Sequence, residues 1–246
     1  MKIENVNVSD WRGYERHDFS FNGHEGLIVF PKTAAEGNPW VWRAEFFSAF
    51  DTVDMDLLAK GWAVAHYSVS DMYGAPQAVS LMKSFKEALV EKYSLSAKCA
   101  MFGFSRGGLY TVNYALKYPQ YVDKIYLDAP VMDVRSWPGG KGKGVGAEKC
   151  WEECKEVYGL TEETAKTFSM NPLDRSEELA ATGIPVALVA GGADKVVPWE
   201  ENGQPFAARF EKAGGKLLTI VKPDCDHHPH SLEDPTPVVE FLTEEA

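Results

Sequence analysis

Four cysteines in 246 residues are too few and too scattered to make a disulfide framework, so the chain has to be held by an apolar core. Cys99 reads as a small buried hydrophobe, and Cys150 and Cys154 as two ordinary thiols on one helix face, without the second pair that a metal site needs. Cys225 stands near a histidine cluster, where a zinc site is the alternative to an ordinary thiol. No run of about 18 apolar residues occurs, and the start Met1-Lys2-Ile3-Glu4-Asn5 has no apolar signal core. A membrane partner is therefore not expected. The expected location is cytoplasmic, or periplasmic or secreted where a leader has been removed. Positive charge is short as well. The 25 Lys and Arg face 36 Asp and Glu, leaving a net charge of -11. Such a surface repels phosphate backbones and counts against nucleic acid as a partner. Convincing internal repeats are absent. What is present is 45% hydrophobic residues, enough for one large core, and a single domain over residues 1–246 is the expectation.

Along the chain, residues 11–30 read as short strands with a turn at Asn22-Gly23, and Gly26-Leu27-Ile28-Val29-Phe30 stops at Pro31 as a buried strand does. A loop over residues 31–39 leads into Trp40-Val41-Trp42-Arg43, followed by a helical stretch over residues 44–60. Further strand patterns fall at residues 62–69, 98–104, 122–127, 185–190 and 217–221. Leu81, Phe85 and Leu89 mark one face of a helix that runs to about Tyr93. Leu109, Val112 and Leu116 mark another, and residues 205–213 a third. Strands alternating with helices imply an α/β fold, a mostly parallel sheet with helices on both faces. Residues 131–180 break the alternation, being Gly- and Lys-rich and then helical. They read as a lid-like insertion over the C-terminal strand ends.

Gly103-Phe104-Ser105-Arg106-Gly107 follows an apolar strand and opens an amphipathic helix. A bare Gly-x-Ser-x-Gly arises by chance in roughly one chain in twelve of this length. Its place at a strand-to-helix turn is what gives it meaning, because a turn that sharp needs small flanking residues and presents the serine hydroxyl. The alternative is a Gly-rich turn with an incidental serine. A serine nucleophile needs a base, and the base an orienting carboxylate, in the chain order Ser, acid, His. Asp194, in Gly191-Gly192-Ala193-Asp194, lies just past a strand end and is the expected acid; Asp128 and Asp174 compete with it. After the last strand comes Lys222-Pro223-Asp224-Cys225-Asp226-His227-His228-Pro229-His230, with three of the six histidines of the chain. His227, nearest the strand end, is the expected base, His228 is second, and His230 reads as a loop or capping residue. A His-x-x-His pair can ligate a metal, but without further ligands neither a metal nor a cofactor is expected.

These segments resemble the α/β-hydrolase superfamily over nearly the whole chain. The wider set Pro39-Trp40-Val41-Trp42-Arg43, Ser105-Arg106-Gly107-Gly108-Leu109, Asp128-Ala129-Pro130-Val131, Ser136-Trp137-Pro138-Gly139-Gly140 and His227-His228-Pro229-His230 is similar to a bacterial subgroup of carbohydrate (acetyl-type) esterases of polysaccharide degradation. The resemblance implies the α/β-hydrolase fold and a small-molecule or carbohydrate ester as substrate. Related hydrolases often carry glycines where this chain has Asp224 and Asp226, and a carboxylate beside the imidazole favours its charged form. The expected oxyanion donors are the backbone N–H of Arg106 and that of Trp42. Candidate substrate-binding residues are Trp40, Arg43, Tyr73 and Trp137, since flat aromatic faces suit sugar rings; ordinary lid packing is the alternative. Two other functions stay open: a peptidase resembling the catalytic domain of prolyl oligopeptidases, and a binding module on a hydrolase scaffold.

Overall fold

In the computed structural model, which describes residues 2–244, nine strands form one mixed sheet. The N-terminal third is an antiparallel meander of β1 (Glu4–Trp11), β2 (Tyr14–Phe21) and β3 (His24–Val29). The Asn22-Gly23 turn joins β2 to β3, both residues having positive φ as a two-residue hairpin turn requires. The parallel part comprises β4 (Trp40–Arg43), β5 (Ala63–Tyr67), β6 (Cys99–Phe104), β7 (Val122–Asp128), β8 (Val186–Gly191) and β9 (Leu217–Lys222). Their order across the sheet is β1-β2-β3-β5-β4-β6-β7-β8-β9, with β3 antiparallel to β5.

Alternation along the strands builds two cores. In β6, Cys99 and Met101 belong to one apolar cluster and Ala100, Phe102 and Phe104 to the other. The first cluster is covered by α2 (Pro76–Tyr93), α3 (Gly107–Lys117), α6 (Ser176–Ala181) and α7 (Gly203–Lys212). The second is covered by α1 (Thr52–Ala59) and α8 (Thr236–Thr243). Helices on both faces are what buried parallel strands need. Among the described residues, no helix is long and apolar enough to cross a membrane.

Residues 131–180 divide into two parts. α4 (Glu148–Tyr158) and the short α5 (Glu162–Ala165) follow a Gly-rich loop, and Trp151 and Cys154 of α4 are buried in the first core. α6 instead packs against α3 and α7 and is part of the covering layer. The root of the segment is pinned by buried Asn202, whose Oδ1 accepts from Met132 N–H (2.9 Å) and Asp133 N–H (3.3 Å).

Candidate active site

The turn from β6 into α3 places Ser105 at φ 49°, in the left-handed region that a non-glycine residue adopts only when its surroundings impose it. Three backbone bonds impose it here. Ser105 N–H donates to Asp128 O (2.9 Å), and Ser105 O accepts from Gly108 N–H (3.0 Å) and Val131 N–H (2.9 Å). The glycines are needed for space. A Cβ on Gly103 would stand 2.9 Å from Gly107 O, and one on Gly108 would stand 2.7 Å from Pro130 Cβ. Neither gap admits a methyl group.

Strands β8 and β9 then bring the remaining groups to the same sheet edge. Ser105 Oγ lies 3.0 Å from His227 Nε2, and His227 Nδ1 lies 2.7 Å from Asp194 Oδ2. An ionised carboxylate only accepts, so Nδ1 carries the imidazole proton and Nε2 is free to accept from the Ser105 hydroxyl. The other oxygen of Asp194 accepts from Val196 N–H and Val197 N–H, each at 2.8 Å, which fixes the carboxylate. The three side chains belong to nearly buried residues: Ser105 is 9% exposed, Asp194 6% and His227 6%. The acid loop and the base loop lie against one another because Gly191 has no side chain; a Cβ there would stand 2.4 Å from Cys225 O. Asp226 strengthens this seam. Its Oδ1 accepts from Lys195 N–H (3.0 Å) and His227 N–H (2.8 Å), and these backbone donors hold its pKa down. Its carboxylate is therefore occupied by backbone, not by the imidazole ring.

The competing acids have other partners. Asp128 holds a second histidine: Oδ1 lies 2.8 Å from His230 Nδ1, and Oδ2 accepts from Ser231 N–H and the Tyr126 hydroxyl, each at 2.7 Å. Both Asp128 and His230 are buried, so His230 is a fixed part of the interior and not a loose loop residue. Asp174 accepts from Asn171 N–H in a short helical turn at residues 172–175. His228 is exposed, and neither ring nitrogen makes a hydrogen bond among the described residues. Partial burial and then the neighbouring imidazoles of His230 and His227 depress its pKa.

Four expected positions need correction. Trp42 sits within β4, paired with Ala65 on one side and Met101 on the other, so its amide belongs to the sheet ladder and cannot serve as an oxyanion donor. Trp40 and Trp42 are both fully buried, stacked on each other at 6.0 Å inside the first core, and neither presents a face to a substrate. Arg43 is buried too. Its guanidinium bonds Asp54 (2.6 Å), Ala49 O (2.7 Å) and Phe46 O (3.2 Å) and lies over the Phe104 ring, which makes it the internal tie of the 45–50 loop. Tyr73 is fully buried; its hydroxyl donates to Glu153 of α4 (2.9 Å) and its ring meets Trp137 at 6.3 Å, as lid packing. Trp137 is half-buried against the first core.

One site residue was missed by reasoning from the sequence. Ala44 N–H is committed to Phe102 O, but the next peptide N–H, that of Glu45, makes no hydrogen bond among the described residues, and neither does that of Arg106. Glu45 N lies 3.7 Å from where a Cβ on Gly107 would stand, so both free N–H groups flank the elbow. The Glu45 side chain anchors this arrangement. Its carboxylate accepts from Arg106 Nε (2.8 Å) and from the Ser70 hydroxyl (2.8 Å), and burial raises its pKa against the pull of Arg106. The Arg106 guanidinium also pairs with Asp71 at 3.0 Å. The signal for Glu45 was its place just after a sheet-centre strand, obscured because that strand is only four residues long.

Solved structures similar to this chain include a Mycobacterium tuberculosis puromycin-hydrolyzing peptidase, with TM-score 0.65, 15% identity, and coverage of 97% of this chain and 38% of that one. Porphyromonas gingivalis dipeptidyl peptidase 4 is similar as well, with TM-score 0.67, 16% identity, and coverage of 97% of this chain and 35% of that one. The chain thus spans less than two fifths of the length of these solved relatives, and at such identity they show a shared fold. No curated protein matches the chain. The family model described as the prolyl oligopeptidase family matches residues 63–245, well over half of the sequence and the whole span from β5 onward. With the α/β-hydrolase fold in place and the match running through the elbow, the acid loop and the base loop, the chain belongs to the prolyl oligopeptidase family and is a serine hydrolase.

Proposed function

We propose that this hydrolase cleaves a small carboxylic acyl ester through an acyl-enzyme on Ser105. The observation that carries the reading is the unbroken hydrogen-bonded path from Ser105 Oγ through His227 to Asp194. His227 Nε2 takes the hydroxyl proton as Oγ attacks the carbonyl carbon, and Asp194 holds the imidazolium that forms. The carbonyl oxygen gains its negative charge beside the free N–H groups of Arg106 and Glu45, at the start of α3 where the helix dipole adds to them. His227 then returns the proton to the departing alkoxide, and a water molecule repeats the cycle on the acyl-enzyme. The near-burial of Ser105 favours a compact acyl group. A carbohydrate as the alcohol partner rests on the sequence resemblance alone, because Trp40 and Trp42 lie inside the sheet.

A second reading, a peptidase acting on a proline-containing amide, is favoured by the family match and by the peptidases among the similar structures. Paired substrates separate the two: an acetyl ester and a prolyl amide with the same chromogenic leaving group, assayed on wild type and Ser105→Ala. Turnover of the ester far above the amide supports the esterase; amide turnover within about tenfold of the ester supports the peptidase, since esters are intrinsically the easier substrates. An active-site phosphonate probe should label wild type and leave Ser105→Ala unlabelled. Equal labelling of both proteins would refute the mechanism.

A further inference from the structure

We propose that His228 and His230, together with His227, form a site for a divalent transition-metal cation such as zinc, and that filling it switches the hydrolase off by taking the base away from Ser105. This rests on the reading of His227 as that base. One ring nitrogen from each of the three histidines lies within 4.8 Å of the other two, and the ring centroids are 4.8 to 4.9 Å apart.

Two of the three imidazoles are already held as metal-ligating histidines are. His227 Nδ1 faces Asp194 (2.7 Å) and His230 Nδ1 faces Asp128 (2.8 Å), so each carboxylate fixes the tautomer and leaves Nε2 with its lone pair. The His230 nitrogen freed in this way makes no hydrogen bond among the described residues. Both carboxylates are buried, and two negative charges stand directly behind a site for a doubly charged ion. All three donors are imidazoles, which bind through a ring-nitrogen lone pair, so no thiolate has to be generated.

Tetrahedral zinc with Zn–N of about 2.1 Å sets its nitrogens about 3.4 Å apart. Part of the closing from the present spread falls to His228, the exposed member, whose ring nitrogens have no hydrogen bond to break among the described residues. Phe50 lies against His228 (5.5 Å) and His230 (5.3 Å), giving one side of the site an apolar wall. The cation and the Ser105 hydroxyl compete for a single lone pair, that of His227 Nε2. Bound metal therefore leaves the serine protonated and without a base.

The test separates binding from activity. Calorimetric titration of zinc sulfate into Ser105→Ala, which cannot turn over, should show one equivalent bound. On wild type with an acetyl ester, zinc should lower the rate by about tenfold or more, and a chelator should restore it. His228→Ala should keep the wild-type rate in metal-free buffer and need about tenfold or more extra zinc for the same inhibition. Absence of binding to Ser105→Ala overturns the proposal, and so does unchanged inhibition in His228→Ala. If zinc binds Ser105→Ala in a His228-dependent way while no ester or amide is turned over, the metal site stands and the catalytic reading falls.

Discussion

Two buried Asp–His pairs stand side by side at the C-terminal edge of the sheet, built from the same chemistry and put to different uses. Asp194–His227 and Asp128–His230 have nearly equal hydrogen bonds, 2.7 and 2.8 Å, and their imidazoles pack edge to face at 4.8 Å. Among the described residues, only the first has its imidazole within hydrogen-bond distance of a serine hydroxyl. In the second, the carboxylate is saturated by Ser231 N–H and the Tyr126 hydroxyl, so the pair locks β7 to the loop that carries His227. A carboxylate–histidine pair is thus not by itself a catalytic feature. The third group within reach decides what it does.

Breaking the two pairs separately sharpens the contrast. The largest effect is expected from His227→Ala, which should lower kcat by about 10⁵-fold or more, whereas His230→Gln in metal-free buffer should stay within about tenfold of wild type. Steady-state kinetics on both variants checks this, and comparable losses would erase the distinction. Asp194→Asn should cost about 10⁴-fold in kcat with little change in melting temperature, because the amide stabilises the wrong tautomer. Asp128→Asn should behave the other way. Its buried oxygens accept three hydrogen bonds, and the loss should lower unfolding free energy by about 3 kcal/mol while kcat of the folded fraction stays within about tenfold. Denaturant titration beside kinetics reads both. The smallest effect is expected from Tyr126→Phe, which deletes one of those bonds, at about 1 kcal/mol with unchanged kcat.

The N-terminal half of the site was harder to read than the C-terminal half. Ser105, Asp194 and His227 each follow a strand marked by an apolar run, and glycines announce the close approaches at residues 103, 108 and 191. The segment at residues 40–50 carries no such marks. Strand β4 is too short for alternation to show, and since it lies mid-sheet all four of its residues are buried, aromatic and charged alike. The expected helix over residues 44–60 is confined to α1, Thr52–Ala59. Phe46, Phe47 and Phe50 imitate a helical stripe, but Phe46, Ser48 and Phe50 all have positive φ, held there by Arg43 bonding the carbonyls of Phe46 and Ala49. A local pattern cannot reveal that an arginine is turned inward. Strand β1 also escaped, because as an edge strand it is exposed up to its last residue, Val6 and Val8 included, and only Trp11 packs against the second core.

The sequence by itself determined the α/β alternation, the strand-to-helix turn around Ser105 and the order in which Ser105, Asp194 and His227 follow their strands, because each is written in contiguous residues whose spacing follows backbone geometry. Only the tertiary structure decided which aromatics face inward, that Asp128 serves His230 while Asp194 serves His227, and that Glu45 offers its N–H beside the elbow. Those choices depend on which strands become neighbours across the sheet. That is a long-range outcome of packing, and no short stretch of the chain records it.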